Sequence, residues 1–224
     1  MKQFEDLIAH TAKEVTGSTK VTYDGKELDL TPPWDRLTVY DAIKKYGDGL
    51  DVTEKSPEEL LELVKKIDPG YKGVESHGYL TMELFDHYVE PKVWNPVFIT
   101  DFPKEISPLT KSHRDNPRLV ERFEPLCAGM EIGNSYTELN DPVDQKDRLK
   151  AQEAQRVIDE EAQPMDEDFI HAIEVGMPPT GGVGIGIERI VMLLTGQSSI
   201  RDILLFPTMK PNKKTAPPTA AKDS

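Results

Sequence analysis

One cysteine, Cys127, stands in 224 residues, which excludes an internal disulfide and a thiolate-rich zinc site. No run approaches 18 apolar residues, so no membrane-spanning helix is predicted. Positive charge is scarce. Lys and Arg number 27 against 40 Asp and Glu, for a formal net charge of −13. That balance argues against a surface that tracks phosphates along its whole length, but leaves room for a local basic site. The five histidines, at 10, 77, 87, 113 and 171, show no metal-ligand spacing and are expected to be structural or exposed. Ser112, Ser135 and Ser199 lack the turn of a nucleophile elbow, so serine-hydrolase chemistry has no support. The opening Met1-Lys2-Gln3-Phe4-Glu5-Asp6 is acidic and amphipathic, unlike a signal or transit peptide. A cytoplasmic protein is the default expectation.

What is present reads as a globular chain. Residues 1–16 predict a helix with Phe4, Leu7, Ile8 and Val15 on its apolar side, ended by Gly17-Ser18. Asp24-Gly25 between alternating segments predicts a hairpin over 21–30. A short helix is expected over 38–46. Residues 48–93 read as a helical insertion, with one helix opened by a capping box at Ser56, Pro57 and Glu59 and another from about 76 to 89. Residues 95–100 predict a buried strand, and 122–127 with 130–138 a hairpin around Ala128-Gly129. Helices follow over 143–161 and about 166–175. A glycine-rich segment from Gly181 to Gly186 then runs into a helix whose Ile187, Ile190, Val191 and Leu194 make a core stripe. Hairpins rather than βαβ units predict an α+β fold, a mainly antiparallel sheet flanked by helices. The domain is expected over 1–208, with a disordered Lys/Pro/Thr/Ala-rich tail over 209–224.

Three places could carry chemistry. With a two-residue turn at Ala128-Gly129, Cys127 faces Met130, Leu126 faces Glu131 and Glu124 faces Gly133. Glu124 and Glu131 then become diagonal neighbours on one face. Such a pair can hold a hard divalent cation, with substrate phosphates completing its shell. On spacing alone, two solvated carboxylates are the simpler account. Further along, Asn134, Tyr136 and Glu138 alternate on one face, and together could bind an ammonium-bearing ligand. Strict alternation sets Glu131 on the opposite face from this trio, and a bulge or bend at Gly133 would bring both sets to one cleft. The polar outer face of an edge strand is an equal alternative. Finally, the glycines of 181–186 allow close backbone approach, and Arg189 in the next helical turn could meet a nucleotide phosphate or stack on a base. The third glycine falls at 186, not 187, so this is no dinucleotide fingerprint. Close strand–helix packing with a surface arginine explains the segment as well.

Taken in order, several stretches resemble the class II lysyl-tRNA synthetase family: Ile99 to Leu109, His113-Arg114-Asp115-Asn116-Pro117, Glu131 to Pro142, and Gly176-Met177-Pro178-Pro179 through Arg189. Ser199-Ile200-Arg201-Asp202 and Leu205-Phe206-Pro207 continue the last, which is similar to the family's motif 3. Each is weak singly, but their order over about 110 residues is specific. The resemblance runs from about residue 1 to Pro211. It implies ATP-dependent activation of L-lysine to lysyl-adenylate and transfer to tRNA-Lys, with Mg²⁺ as cofactor. It implies Glu124 and Glu131 as the Mg²⁺ and ATP carboxylates. Asn134, Tyr136, Glu138 and Gly184 would line the lysine pocket, and Arg189 would be the catalytic, ATP-holding arginine. It also implies a homodimer in the intact family and no membrane contact.

The resemblance has departures. The family's hairpin turns on Asn-Gly, where this chain has Ala128-Gly129, and Glu188 replaces the family's frequent Asp. The anticodon-binding domain and motifs 1 and 2 have no counterpart here, so a C-terminal part of the catalytic domain, inactive alone, is expected. Two alternatives are a non-catalytic split subunit or regulatory paralogue and, ranked lower, a lysyl-adenylate ligase that modifies a protein lysine.

Overall fold

The computed structural model describes residues 1–158 and 162–208. The reading of 209–224 as a disordered tail lies outside the described residues. The chain opens with α1 (Lys2–Thr16), which ends at Gly17 in the left-handed conformation. A hairpin follows, β1 (Lys20–Tyr23) and β2 (Lys26–Asp29), turning on Asp24-Gly25. Then come β3 (Asp35–Thr38), α2 (Val39–Tyr46), α3 (Pro57–Ile67) and α4 (His77–Tyr88). At α3 the Ser56 hydroxyl accepts from the Glu59 N–H while the Glu59 carboxylate accepts from the Ser56 N–H, so the expected capping box is complete. The remaining elements are β4 (Val97–Thr100), β5 (Arg122–Cys127), β6 (Met130–Glu131), β7 (Gly133–Thr137), α5 (Pro142–Gln155), α6 (Glu167–Val175), β8 (Gly181–Ile185), α7 (Ile187–Thr195) and α8 (Ile200–Ile203).

The main sheet runs β3-β4-β5-β7-β8, with β6 also on β5. It is antiparallel except for β3 on β4, a parallel pair that the α2–α4 segment spans as its crossover. An α+β fold dominated by antiparallel pairing is therefore present. Two cores sit on opposite faces of the sheet. On one, Val97, Ile99 and Leu126 pack under Leu60, Leu80, Leu84 and Phe85 of the helices. On the other, Phe98, Cys127 and Ile132 pack with Phe4, Trp34 and Leu193. β3 was not foreseen. Pro32-Pro33 reads as a stop, yet the four residues after it find β4 and complete the sheet edge.

The helices also turn their apolar faces differently from the periodicity reading. In α1 the buried residues are Phe4, Glu5, Ile8, Ala9 and Ala12, while Leu7 and Val15 face solvent. Glu5 is inside because its carboxylate accepts from the Trp34 N–H at 2.9 Å and from Arg36 at 3.2 Å, which docks α1 on the start of β3. In α7 the buried residues are Ile190, Met192 and Leu193, and Ile187 is exposed. α5 ends at Gln155 rather than 161, and residues 159–161 lie outside the described residues.

The Ala128-Gly129 turn has φ of 50° and 70°, the same left-handed pair as Asp24-Gly25 at 46° and 72°. Alanine holds this conformation because the turn is fastened from outside. Its two N–H groups donate to the carbonyls of Trp94 at 2.8 Å and Val93 at 2.9 Å. Left-handed alanine still costs about 1 kcal/mol. Ala128→Asn is expected to raise stability by about 0.5–1 kcal/mol in urea denaturation.

Candidate active site

The hairpin register supplies the central fact. Leu126 pairs with Glu131 and Cys127 with Met130, as the two-residue turn predicts. Further from the turn Phe123 pairs with Ser135 and Arg122 with Tyr136. Three steps on β5 thus match four on the returning strand, and the extra residue falls at Ile132-Gly133. The expected facing of Glu124 with Gly133 is corrected by this one-residue bulge. Its cause is local. Ile132 turns into the Phe4–Trp34–Phe98 core, its N–H donating to the Pro125 carbonyl at 2.9 Å and its carbonyl accepting from the Gly186 N–H at 3.0 Å. A bulge shifts the alternation by one, so Glu131 comes to the same face as Asn134 and Tyr136. Arg122 and Glu124 of β5 share that face.

Asn134, Tyr136, Glu138, Gly182, Val183 and Gly184 line one recess of about 390 Å³. Four of these six are the residues expected in the amino-acid pocket. The Glu138 carboxyl lies over Gly182, where any Cβ would collide with it. That role for Gly182 was not foreseen. Burial raises the Glu138 carboxyl from its ordinary value. Burial and the neighbouring Glu138 also raise the Tyr136 phenol. A cation entering the recess would relieve both.

Glu124 and Glu131 stand within electrostatic reach of each other. Glu124 is buried, and burial pushes its carboxyl up to about 7, with Arg122 opposing and Glu131 and Glu90 adding to the rise. Glu131 is half-exposed and lies beside Arg189, whose guanidinium donates to the Glu131 carbonyl and sits 3.9 Å from its carboxylate. Arg189 is itself half-exposed, at the rim of the site. Among the described residues no group of three or more His, Cys, Asp or Glu is arranged to hold a metal ion. The carboxylate pair is therefore a half-shell of hard oxygen donors, suited to a divalent cation that brings phosphate or water oxygens with it.

Sequence reasoning missed Arg122. Its Nε donates to Asn134 Oδ1 at 3.2 Å and its Nη1 to Ser107 Oγ at 3.0 Å, while Nη2 donates to the Glu124 carboxylate. The guanidinium lies 4.7 Å over the Phe102 ring. A signal was available: position 122 is two residues before Glu124 and so on the same strand face. Ser107 belongs to a loop that α5 straps down. Gln145 holds the Pro108 carbonyl, Arg148 the Thr110 carbonyl and Ser112 hydroxyl, and Gln152 the Glu105 carbonyl. This explains why α5 buries polar side chains.

The bystanders are as expected. Cys127 is fully buried and its thiol is pushed up to about 12 by that burial, so it is no nucleophile. His113 pairs with Asp101 at 3.8 Å, and His171 with Glu174 at 3.6 Å on the surface. No helix among the described residues is long and apolar enough to cross a membrane.

Comparison with known proteins identifies the family. The model of the family described as tRNA synthetases class II (D, K and N) matches residues 1–210. A protein named lysine–tRNA ligase from Thermoanaerobacter pseudethanolicus is 51% identical over 213 residues, covering 94% of this chain and 42% of that protein. Proteins of the same name from Moorella thermoacetica and Clostridium novyi are 48% and 49% identical, covering 96% and 95% of this chain and 44% and 42% of theirs. The chain thus spans about two-fifths of the length of the curated relatives it matches. With its family model matched from end to end of the described fold, the chain belongs to the class II tRNA synthetases of the D, K and N group.

Proposed function

We propose that this chain is the part of a lysine–tRNA ligase that holds L-lysine and one side of ATP. The observation that carries the reading is the bulge at Ile132-Gly133, which sets the carboxylate pair and the Asn134–Tyr136–Glu138 row on one face. In this reading Glu138, with Tyr136 beside it, takes the ammonium end of lysine, and Gly182 and Gly184 let the substrate lie against β8. Arg189 steadies Glu131 and supplies positive charge where ATP would lie. Glu124 and Glu131 would hold Mg²⁺, which when bound neutralises phosphate charge. The reaction is attack of the lysine carboxylate on the α-phosphate with loss of pyrophosphate, followed by transfer to tRNA. No side chain here is placed as a nucleophile. The residues act by positioning and electrostatics.

The test is lysine-dependent ATP–pyrophosphate exchange with Mg²⁺, on the chain alone and mixed with the remaining part of the Thermoanaerobacter relative. Exchange is expected only in the mixture, and Arg189→Ala is expected to abolish it. A mixture that forms a complex yet shows no lysine-dependent exchange would sink the catalytic reading. One observation favours a second reading, a non-catalytic subunit. Among the described residues β8 pairs only with β7, and Val183 within it and Ile187 just after it are exposed. Such an unpaired edge invites a partner strand. Complex formation without exchange would favour that reading.

A further inference from the structure

We propose that Arg122 is a positioning residue that fixes the direction of the Asn134 side-chain amide, and through it the polarity with which the recess accepts an amino acid. The inference rests on the recess being the lysine site and deepens that reading. Asn134 can present either its oxygen or its NH₂ to a ligand, and at first sight a row of Asn, Tyr and Glu is simply a cradle for an ammonium group. The contacts of Arg122 decide otherwise. Its Nε–H is given to Asn134 Oδ1 at 3.2 Å, so the amide oxygen is turned toward Arg122 and the NH₂ to the opposite side. A flipped amide would set N–H against N–H, because guanidinium has no acceptor.

Arg122 is itself immobile enough to impose this. Its side chain is 17% exposed, its plane lies over the buried Phe102 ring, and its two outer nitrogens are held by Ser107 and Glu124. Phe102 is in turn wedged edge-on against Phe85. The loop carrying Ser107 is clamped by α5 through Arg148 and Gln152. Asn134 therefore offers a donor to the recess and asks for an acceptor, such as a carboxylate oxygen. Glu138, further along the same strand face, asks for a cation. One end of the recess selects the carboxylate of the amino acid and the other its side-chain ammonium.

The test compares L-lysine with cadaverine, the same diamine without the carboxylate, by NMR titration of the chain. Wild type is expected to prefer L-lysine. Arg122→Lys keeps the charge but loses the planar fork. It is expected to weaken L-lysine about tenfold and cadaverine by less than about twofold, the signature of one lost hydrogen bond to one ligand end. Equal loss for both ligands would reduce Arg122 to a structural residue and overturn the proposal. Asn134→Asp, which still accepts from Arg122 but offers no N–H, covers the case in which Arg122→Lys fails to fold. It is expected to reverse the preference, and an unchanged preference for L-lysine overturns the proposal. A third arm needs no ligand. The Arg122 Nε–H proton should exchange with water about tenfold faster or more in Asn134→Ala. Unchanged exchange would refute the contact itself. A wild-type chain that binds neither ligand refutes the lysine site and with it the polarity, and the exchange arm then shows whether the Arg122–Asn134 contact survives that failure.

Discussion

Gly133→Ala is expected to lower the stability of the chain by about 3 kcal/mol and to abolish lysine binding. A Cβ at this position would stand 2.6 and 2.7 Å from two carbons of the Phe4 ring and 2.7 Å from the Gly184 carbonyl oxygen. Neither neighbour can yield cheaply. Phe4 is locked edge-on between Trp34 and Phe98, with ring centres 6.1 and 6.2 Å away. The Gly184 carbonyl is backbone of β8, held in register with Asn134. If α1 moves, the aromatic core opens. If β8 moves, Gly184 leaves Asn134 and the recess loses its floor. Urea denaturation reads the first loss and NMR titration with L-lysine the second. A loss of stability below about 1 kcal/mol, with lysine binding intact, would show that one of the two partners relaxes freely.

Glu124→Gln is expected to act in the opposite direction on stability, raising it by about 2–3 kcal/mol at pH 8 and by almost nothing at pH 4. The sign follows from proton binding. Folding lifts the Glu124 carboxyl from its ordinary 4.5 to about 7, chiefly by burial. Between those values the folded chain holds a proton that the unfolded chain has released, so stability falls as pH rises through the window. Above pH 7 the charge is present in the folded state too, and its full cost is felt. Glutamine has no such charge and can still accept from Arg122. The difference between the two proteins is measured by urea denaturation at both pH values. Glu138, raised by burial alone, contributes equally to both, whereas Glu90 and Asp86, the latter pushed up to about 7, interact with the Glu124 charge and belong to the same pH-dependent difference. In wild type Mg²⁺ with ATP should recover part of the deficit at pH 8, and in Glu124→Gln it should recover little. A stability difference independent of pH would mean that Glu124 is ionised at its ordinary value in the fold. The expected pH-dependent gain would instead mark a carboxylate that the chain keeps at a cost to its own stability.

How far the molecule can be read from its letters depends on which residues are asked. The Asp24-Gly25 and Ala128-Gly129 hairpins and the Ser56 capping box are local, set by residues within a few positions of one another, and they were legible. So were the rows Glu124/Glu131 and Asn134/Tyr136/Glu138, and even the place where a bulge would unite them. Whether the bulge exists was not legible, because Ile132 is drawn out of the alternation by Phe4, Trp34 and Phe98, which lie 34 or more positions away. The buried stripe of α1 was misread for a related reason. Glu5 is inside only because Trp34 and Arg36 meet it there. Arg122 was passed over because a charged residue in a strand is ordinarily solvated, and its partners at 107 and 134 appear only when loop and strand are folded together.

The parallel pairing of β3 with β4 has a consequence for the order in which the chain is made. Roughly 60 residues separate the two strands, and a ribosome adding about 5–20 residues each second takes about 3–12 s to cover them. Helices form in about a microsecond, so α2, α3 and α4 can be in place long before β4 emerges to meet β3. From β4 onward the sheet grows as it is translated, β5, then β7, then β8, each laid beside the strand before it. Asn134 arrives facing an Arg122 synthesised moments earlier. Arg189 comes last and closes on a Glu131 already held in its bulge, so the rim of the site is the final part to be assembled.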